Sequence, residues 1–210
     1  MANFFETDWE EPELDTLASL AQHLVYRLPE CDDTVVRLTL REVYRDFCRR
    51  SCCLRVRRRF EWMPHGEYFV APMFGGEVMR ITEVCDGRHR LREGRDYTAS
   101  GNRVKLNRCL WHVHAHRVCP PLRLTIAWTE MPSLSSEKIP KWLLKKHGDT
   151  MCSGALARLL AMTNRAWSDP QMAAVESNRY EAAVNEECMG LYAVGDSGNM
   201  GSVFDASDMI

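Results

Sequence analysis

The chain lacks a long apolar run: no hydrophobic stretch approaches the roughly 20 residues that a membrane-spanning helix needs. We therefore predict no membrane span. It also lacks a dominant charge, because 27 lysines and arginines stand against 29 aspartates and glutamates, for a formal net charge of −2. That balance argues against both a bulk polycation and an acidic, solvating chain.

Catalytic motifs are equally scarce. The Gly75–Gly76 pair is not followed by the Lys-Ser/Thr and the helix that a P-loop requires, so we interpret it as a turn. The paired carboxylates Glu10–Glu11 and Glu186–Glu187 imply no pocket, and no nucleophile has a recognisable base beside it. We therefore predict that the chain is not an enzyme and needs no cofactor.

The nine cysteines follow no repeating spacing, which predicts reduced thiols in a cytoplasm-like compartment. The N-terminal sequence MANFFETDWEEPE is acidic where a secretory signal would be basic and then apolar, so we expect no such leader. Cys48, Cys52 and Cys53 lie beside arginines that would lower a thiol pKa and make a cysteine reactive. The alternative, which we favour, is a set of buried, inert thiols on a helix.

Five residues of metal-binding type lie in one short segment: Cys109, His112, His114, His116 and Cys119. Zinc prefers such ligands. On a strand, however, the three histidines share one face while the two cysteines fall on the other parity, so a tetrahedral site would need a bulge or a bend. We predict no metal and interpret the segment as a polar strand.

The run Arg55–Arg59, followed by aromatic residues, has the composition of a nucleic-acid patch. Strand alternation places Arg55, Arg57 and Arg59 on one face, which also suits pairing with an acidic partner surface. Charge is uneven along the chain: residues 1–33 contain nine acids and one arginine, whereas residues 41–59 contain eight arginines and two acids. Such asymmetry suits docking of opposite patches, although a solvated helix face explains it equally well.

Helical spacing marks both ends of the chain. A first helix is predicted from about Glu11 to Arg27, and a second from a cap at Asp32, Asp33 or Thr34 to about Cys52. Their apolar stripes are Leu14, Leu17, Leu20, Ala21 and Leu24 in the first, and Val36, Leu40, Val43, Tyr44, Phe47 and Cys48 in the second. Between residues 54 and 132 the period is strand-like and predicts six to eight short strands, with turns at Pro72–Gly76 and Gly101–Asn102.

The stretch Ile139–Ala183 predicts two antiparallel helices. Asn164 and Arg165 end the first, and Ser168 or Asp169 caps the second, with Pro170 in its first turn. The predicted apolar positions are Leu143, Met151, Ala155, Leu156, Leu159, Leu160 and Met162 in the first helix, and Met172, Ala173, Val175, Tyr180, Ala183 and Val184 in the second.

This hairpin, with the pattern HGDxxxxGALARLLxM and then WSDPxxAxxxxxxYEAA, resembles the closing segment of tailed-bacteriophage head-to-tail adaptor proteins, also called connector or head-completion proteins. The matching residues are His147, Gly148, Asp149, Gly154, Ala155, Leu156, Ala157, Arg158, Leu159, Leu160, Met162, Trp167, Ser168, Asp169, Pro170, Ala173, Tyr180, Glu181 and Ala182. The opening segment resembles the family's turn and helix at Leu28, Pro29, Cys31, Tyr44, Asp46, Phe47, Cys48, Arg49, Arg50 and Ser51. The β-rich block shares the family's rhythm, and the resemblance covers about Leu14–Glu187.

The resemblance implies an α+β fold: an antiparallel helical bundle of about four helices with an inserted small β-sandwich or barrel-like subdomain. The expected parts are an N-terminal arm (1–13), a helical hairpin (14–53), the β-rich insertion (54–132), a second helical hairpin (133–189) and a docking tail (190–210).

The implied function is that of a virion protein made in the host bacterial cytoplasm. It would form a ring, a dodecamer by analogy, between the portal protein and a neck or tail protein, with genomic DNA passing through the channel without sequence-specific binding. The alternative from the residues alone is a small nucleic-acid-binding module, with or without a stabilising metal, that uses the Arg55–Arg59 run.

Overall fold

The computed structural model describes residues 13–61, 66–86, 89–107, 123–197 and 204–205. These ranges contain helices and three small sheets, which confirms the α+β class. The helices are α1 (Ala18–Arg27), α2 (Asp33–Ser51), α3 (Lys141–Leu160) and α4 (Pro170–Ser197). The strands are β1 (Leu14–Thr16), β2 (Arg55–Glu61), β3 (Glu67–Phe69), β4 (Glu77–Asp86), β5 (Tyr97–Ser100), β6 (Arg103–Leu106), β7 (Arg123–Met131), β8 (Lys138–Pro140) and β9 (Phe204–Asp205).

Helix α2 forms where its pattern predicts. The Asp32 carboxylate accepts a hydrogen bond of 2.7 Å from the backbone N–H of Thr34, so Asp32 is the N-cap among the three candidates. The apolar stripe is completely buried, as predicted: Val36, Leu40, Val43, Tyr44, Phe47 and Cys48. The helix ends at Cys52, whose φ of 49° places it in the left-handed region and turns the chain toward β2.

The start of the first helix was predicted wrongly. Residues 14–16 form β1, which pairs antiparallel with β8, and α1 begins only at Ala18. Leu14 therefore lies in a strand and is 39% exposed, whereas Ala21 and Leu24 are buried as predicted. The pairing with a strand more than 120 residues away overrides the local helical spacing.

Helices α3 and α4 form the predicted antiparallel pair. Asp169 caps α4, because its Oδ1 accepts hydrogen bonds from the N–H groups of Gln171 (3.1 Å) and Met172 (3.0 Å). Most predicted apolar positions are buried: Leu143, Met151, Ala155, Leu156, Leu159, Leu160, Ala173, Tyr180 and Val184. Met172 and Val175 are not, with 41% and 45% of their surface exposed. Helix α4 continues to Ser197, past the expected boundary at residue 189.

The strands of the β-rich block belong to two sheets. One has the order β4-β7-β2-β9 and the other the order β3-β6-β5, while β1 and β8 form a separate pair. The predicted turns are present: residues 70–76 join β3 to β4, and Gly101–Asn102 joins β5 to β6, with Gly101 at a φ of +57°. Two register shifts in β4, at Val78/Arg80 and Ile81/Glu83, mark bulges against β7.

Helices and sheets share one continuous apolar core, in which Trp128 of β7 and Phe47 of α2 are fully buried. Polar contacts join the two halves as well. Arg41 of α2 pairs with Glu137 in the segment before β8, and Arg45 donates to the Pro132 carbonyl at 3.3 Å. No helix within the described ranges combines the length and apolarity needed to cross a bilayer.

We predict that Gly154→Ala destabilises the protein. A Cβ at residue 154 of α3 would lie 2.7 Å from Cδ2 of Tyr180 on α4 and 2.8 Å from Cγ1 of Val43 on α2. Both helices would therefore have to move away from α3. Overpacking of this kind costs about 1–3 kcal/mol, which urea denaturation followed by tryptophan fluorescence would measure.

The matched control is Gly148→Ala in the same helix. A Cβ there would meet only side-chain methyls, of Leu20 at 3.4 Å and Leu144 at 3.8 Å. Because alanine is favoured over glycine inside a helix by about 1 kcal/mol, this variant is expected to be neutral or more stable. Equal stability changes in the two variants would contradict the close packing at Gly154.

Candidate functional site

The two segments that resemble the adaptor family meet at one polar cluster. Arg50 of α2 donates to both carboxylate oxygens of Glu181 on α4, at 2.8 and 2.5 Å. The Tyr180 hydroxyl donates to Asp46 of α2 at 3.0 Å, and Arg158 of α3 lies 3.5 Å from the same carboxylate. We call Asp46, Arg50, Arg158, Tyr180 and Glu181 the polar clamp, because these five residues join α2, α3 and α4.

Electrostatics in the polar clamp stabilise its charges. The Arg50 guanidinium lowers the pKa of Glu181 through their hydrogen bonds, and those bonds raise the pKa of Arg50 in turn. Burial raises the pKa of Tyr180, and the Asp46 charge raises it further, so the hydroxyl remains protonated and keeps donating. The arrangement locks charges in place, which suits a structural contact rather than proton transfer.

His147, another residue of the resemblance, lies beside the same helices. Its Nε2 is 3.3 Å from Oε2 of Glu187, within ion-pair distance although no hydrogen bond forms, and its ring centroid is 4.8 Å from that of Phe47. Burial lowers the pKa of His147 despite the nearby Glu187 charge. Glu187 already has a charged partner in Lys146, at 2.9 Å. The buried His147 ring is therefore mainly a packing residue against Phe47.

Of the three cysteines at the C-terminal end of α2 and just after it, Cys48 and Cys53 are buried as the inert alternative predicts, and Cys52 is not. Cys48 and Cys53 are buried, and their sulfurs lie 3.9 Å apart. Burial raises the pKa of Cys48 well above its usual range. Cys52 is half-buried, and its thiol contacts the Arg49 carbonyl at 3.7 Å. No base lies against these thiols in hydrogen-bonding geometry within the described ranges, so the contacts favour packing over nucleophilic chemistry.

The predicted alternation of β2 produces a basic surface. Arg55, Arg57 and Arg59 share the face opposite buried Val56, and Arg80 of β4 is added because it pairs with Thr129, which in turn pairs with Arg55. Arg90 joins them through Glu83, which lies 2.8 Å from Arg57 and 3.6 Å from Arg90. We call these five arginines, with Glu83, the arginine face.

The remaining candidates supply little chemistry. The cluster Cys109–Cys119 lies outside the described residues, and the described ranges contain no group of three or more ligands that could hold a metal. An open cleft of about 510 Å³ lies between β4 and the β5–β6 hairpin. Its lining has two charged side chains, Arg80 and Glu93, and one hydroxyl, that of Thr82.

The buried carboxylates were missed in the sequence, and of these Glu130 and Glu176 make the clearest contacts. Glu130 accepts from the backbone N–H groups of Met73 (2.7 Å) and Phe74 (3.0 Å) and from the Trp128 indole (2.7 Å), while burial raises its pKa. Glu176 is 1% exposed and lies 3.7 Å from Arg27 of α1. Both hold backbone or helix contacts in place. An acid in an apolar strand, as in AWTEM, is the only local signal for Glu130.

Comparison with known proteins supplies no relative from which a function could be assigned, so the proposed function rests on the residues and their geometry. No protein-family profile matches the chain, and no curated protein sequence matches it either.

We predict measurable coupling between Arg50 and Glu181. The single substitutions Arg50→Gln and Glu181→Gln and their combination form a double-mutant cycle. Because both side chains are partly exposed, the coupling is expected at about 0.5–1 kcal/mol at pH 7. It is obtained from the four free energies of unfolding.

The same cycle has a pH signature. The lowered pKa of Glu181 means that its stabilisation is present above its ordinary value of 4.5 and is lost as the pH falls through its folded-state value. Coupling that does not decrease on acidification would contradict an ionic contact. The exposed pair Arg103–Glu67, 3.7 Å apart, is the matched control and is expected to couple more weakly.

We also predict selective alkylation of the thiols. In the folded protein, iodoacetamide is expected to modify Cys52 well before Cys48 and Cys53, because the latter two are shielded from reagent and solvent. Fragmentation mass spectrometry of the digested protein distinguishes the three positions. In concentrated urea the difference is expected to disappear, and early labelling of Cys48 in the folded protein would disprove its burial.

Proposed function

We propose that the chain is a head-to-tail adaptor: a structural virion protein that forms a ring between a portal and a neck or tail protein. One observation carries this proposal. The two segments of the resemblance, around residues 44–51 and 147–182, are separated by almost a hundred residues, and their matching side chains contact one another in the polar clamp. A resemblance arising by chance would not be expected to assemble into one interface.

The finer architecture belongs to this proposal. Helices α1 to α4 pack on one another and form the helical bundle, and the block of β2 to β7 between α2 and α3 is the insertion, a small sandwich or barrel-like subdomain. Gly154 supports a packing role for the motif, because the close approach of α2, α3 and α4 leaves no room for a side chain there. The bundle would carry the mechanical load of the ring.

An adaptor also needs surface for its neighbours. Stable interfaces bury about 800 Å² on each partner and place aromatic and large apolar side chains near their centres. Tyr26 on α1 is 87% exposed and Met189 on α4 is 69% exposed, and Leu38 on α2 and Phe69 on β3 are also largely exposed. These residues are our candidates for subunit and portal contacts.

The mechanism would be geometric and electrostatic. One surface would meet the portal, the opposite surface would receive the next neck or tail protein, and the channel would let genomic DNA slide without tight binding. The polar clamp and the shared core would keep each subunit rigid. A ring matched to a portal would contain twelve copies by analogy.

A second function is favoured by one observation, the arginine face. Five arginines, which outnumber Glu83 and the Glu61 that ends the same face of β2, could neutralise several phosphates. That arrangement would suit a nucleic-acid-binding module. The adaptor remains our first proposal, because the arginine face accounts for none of the residues in the two resembling segments.

The deciding measurement is native mass spectrometry of the purified chain, alone and with its portal ring. The adaptor proposal predicts binding at one copy per portal subunit. The second function would be favoured by a chain that does not bind the portal but binds duplex DNA with a strong salt dependence. In a plot of log K against the logarithm of the salt concentration, the slope would be about −0.9 for each phosphate contact. The Gly148→Ala variant, which is expected to keep the fold, is the control, because it shows whether a substituted protein that is still folded binds the portal as the parent does.

A further inference from the structure

The arginine face contains positive charge that the described residues do not neutralise. Arg57 and Arg90 share Glu83, but no carboxylate whose side chain the structure describes lies within salt-bridge distance of Arg55, Arg59 or Arg80. Elsewhere the arginines of α2 are paired: Arg37, Arg41, Arg45, Arg49 and Arg50 each contact an acid. The cations of the arginine face therefore differ from those of α2, which all have an acid within reach.

The geometry of these charges is regular. Arg55, Arg57 and Arg59 alternate along β2, so their positions are about 6.7 Å apart. Arg80 lies two strands away from Arg55, about 10 Å across the sheet, since the register runs Arg55–Thr129–Arg80. Burial lowers the pKa of Arg55, and the neighbouring charge of Arg80 lowers it further, which indicates that these two cations repel each other. An anionic ligand would relieve that repulsion.

The acidic counterpart is present in the same chain. Residues 1–12 contain four carboxylates and no lysine or arginine. Three of them, Glu6, Asp8 and Glu10, follow an alternating spacing, so an extended segment would place them on one side about 6.7 Å apart. This spacing equals that of the arginines along β2.

The attachment point of this segment also suits the contact. Glu13 is fixed at the junction of β8 and α3, where its carbonyl accepts from the Lys141 N–H at 2.9 Å and its carboxylate pairs with the Lys141 amine at 3.0 Å. Only residues 132–137 separate β8 from β7, the central strand beneath the arginine face. Twelve extended residues span up to about 40 Å, and a tethered segment has a high effective concentration.

We propose that the acidic segment 1–12 lies across the arginine face of its own copy, with Glu6 and Glu10 facing Arg59 and Arg55, since both pairs are four residues apart and therefore about 13 Å apart when extended. Each ion pair is partly exposed and weak, so the contact is sensitive to salt and can be displaced. Its effect is to cover a basic surface that would otherwise attract nucleic acid non-specifically. The inference does not depend on the adaptor role, and portal binding could fail while this contact holds.

The first test is zero-length cross-linking. Arg59→Lys and Arg80→Lys keep the charge and introduce amines that a carbodiimide can couple to carboxylates in residues 1–12. The full-length variants are mixed as equal amounts of unlabelled and ¹⁵N-labelled protein, and Arg165→Lys, at an exposed position in the α3–α4 connection, is the control.

Cross-links above the control, with both peptides carrying the same isotope, support the proposal. Mixed-isotope cross-links would assign the segment to a neighbouring copy, and cross-links no more frequent than in the control would refute the contact; both results overturn the proposal.

The second test measures DNA affinity by fluorescence anisotropy at low salt. Neutralising the segment with Glu6→Gln, Asp8→Asn and Glu10→Gln is expected to tighten duplex DNA binding about tenfold, equivalent to removing about 1.4 kcal/mol of competition. The matched control neutralises three exposed acids elsewhere, Glu30→Gln, Asp149→Asn and Glu186→Gln, with the same change in net charge. Equal gains in the two triple variants would show that net charge alone acts and would overturn the proposal.

Discussion

The burial of α2 against α3 is the contact on which the other parts of this protein depend. Val43 and Phe47 are fully buried, and α3 approaches closely enough that Gly154 cannot carry a side chain. From this position α2 also reaches the β-rich block, through Arg45, which lies 3.7 Å from Glu77 of β4. A shift of α2 would therefore disturb both the helices and the attachment of the sheets, which explains why its apolar stripe shows no exposed member.

Charge has two separate roles in this molecule. In the polar clamp, opposite charges lie within hydrogen-bonding distance and their pKa values move so that both remain ionised, as in the Arg50–Glu181 pair. On the arginine face, like charges are collected on one surface, and Arg55 and Arg80 disfavour each other. The first arrangement is satisfied within the folded chain, whereas the second calls for an acidic partner. Neither brings a nucleophile and a base together.

Local signals were predictable from the sequence, and distant ones were not. Asp32 and Asp169 act as caps because capping depends on residues two or three positions away. Leu14 was assigned to the wrong element, since β8 determines its conformation from the other end of the chain. The alternation of Arg55, Arg57 and Arg59 was predictable, but Arg80 and Glu83 join the arginine face only through the register of β4 on β7. The polar clamp likewise depends on how the helices pack, which cannot be predicted from one sequence. Its residues were noticed in the sequence only because they belong to the family resemblance.

The order of pairing along the chain has a consequence for biosynthesis. β1 pairs with β8, β2 with β7, and Arg50 with Glu181, so elements made early have their partners in the last part of the chain. Contacts of such long range form slowly, and a nascent chain emerges at about 5–20 residues per second. The apolar side of α2 thus has to wait for α3 and α4, and it is a surface that a chaperone could bind during that interval. The core around α2 can therefore close only after synthesis has passed α4.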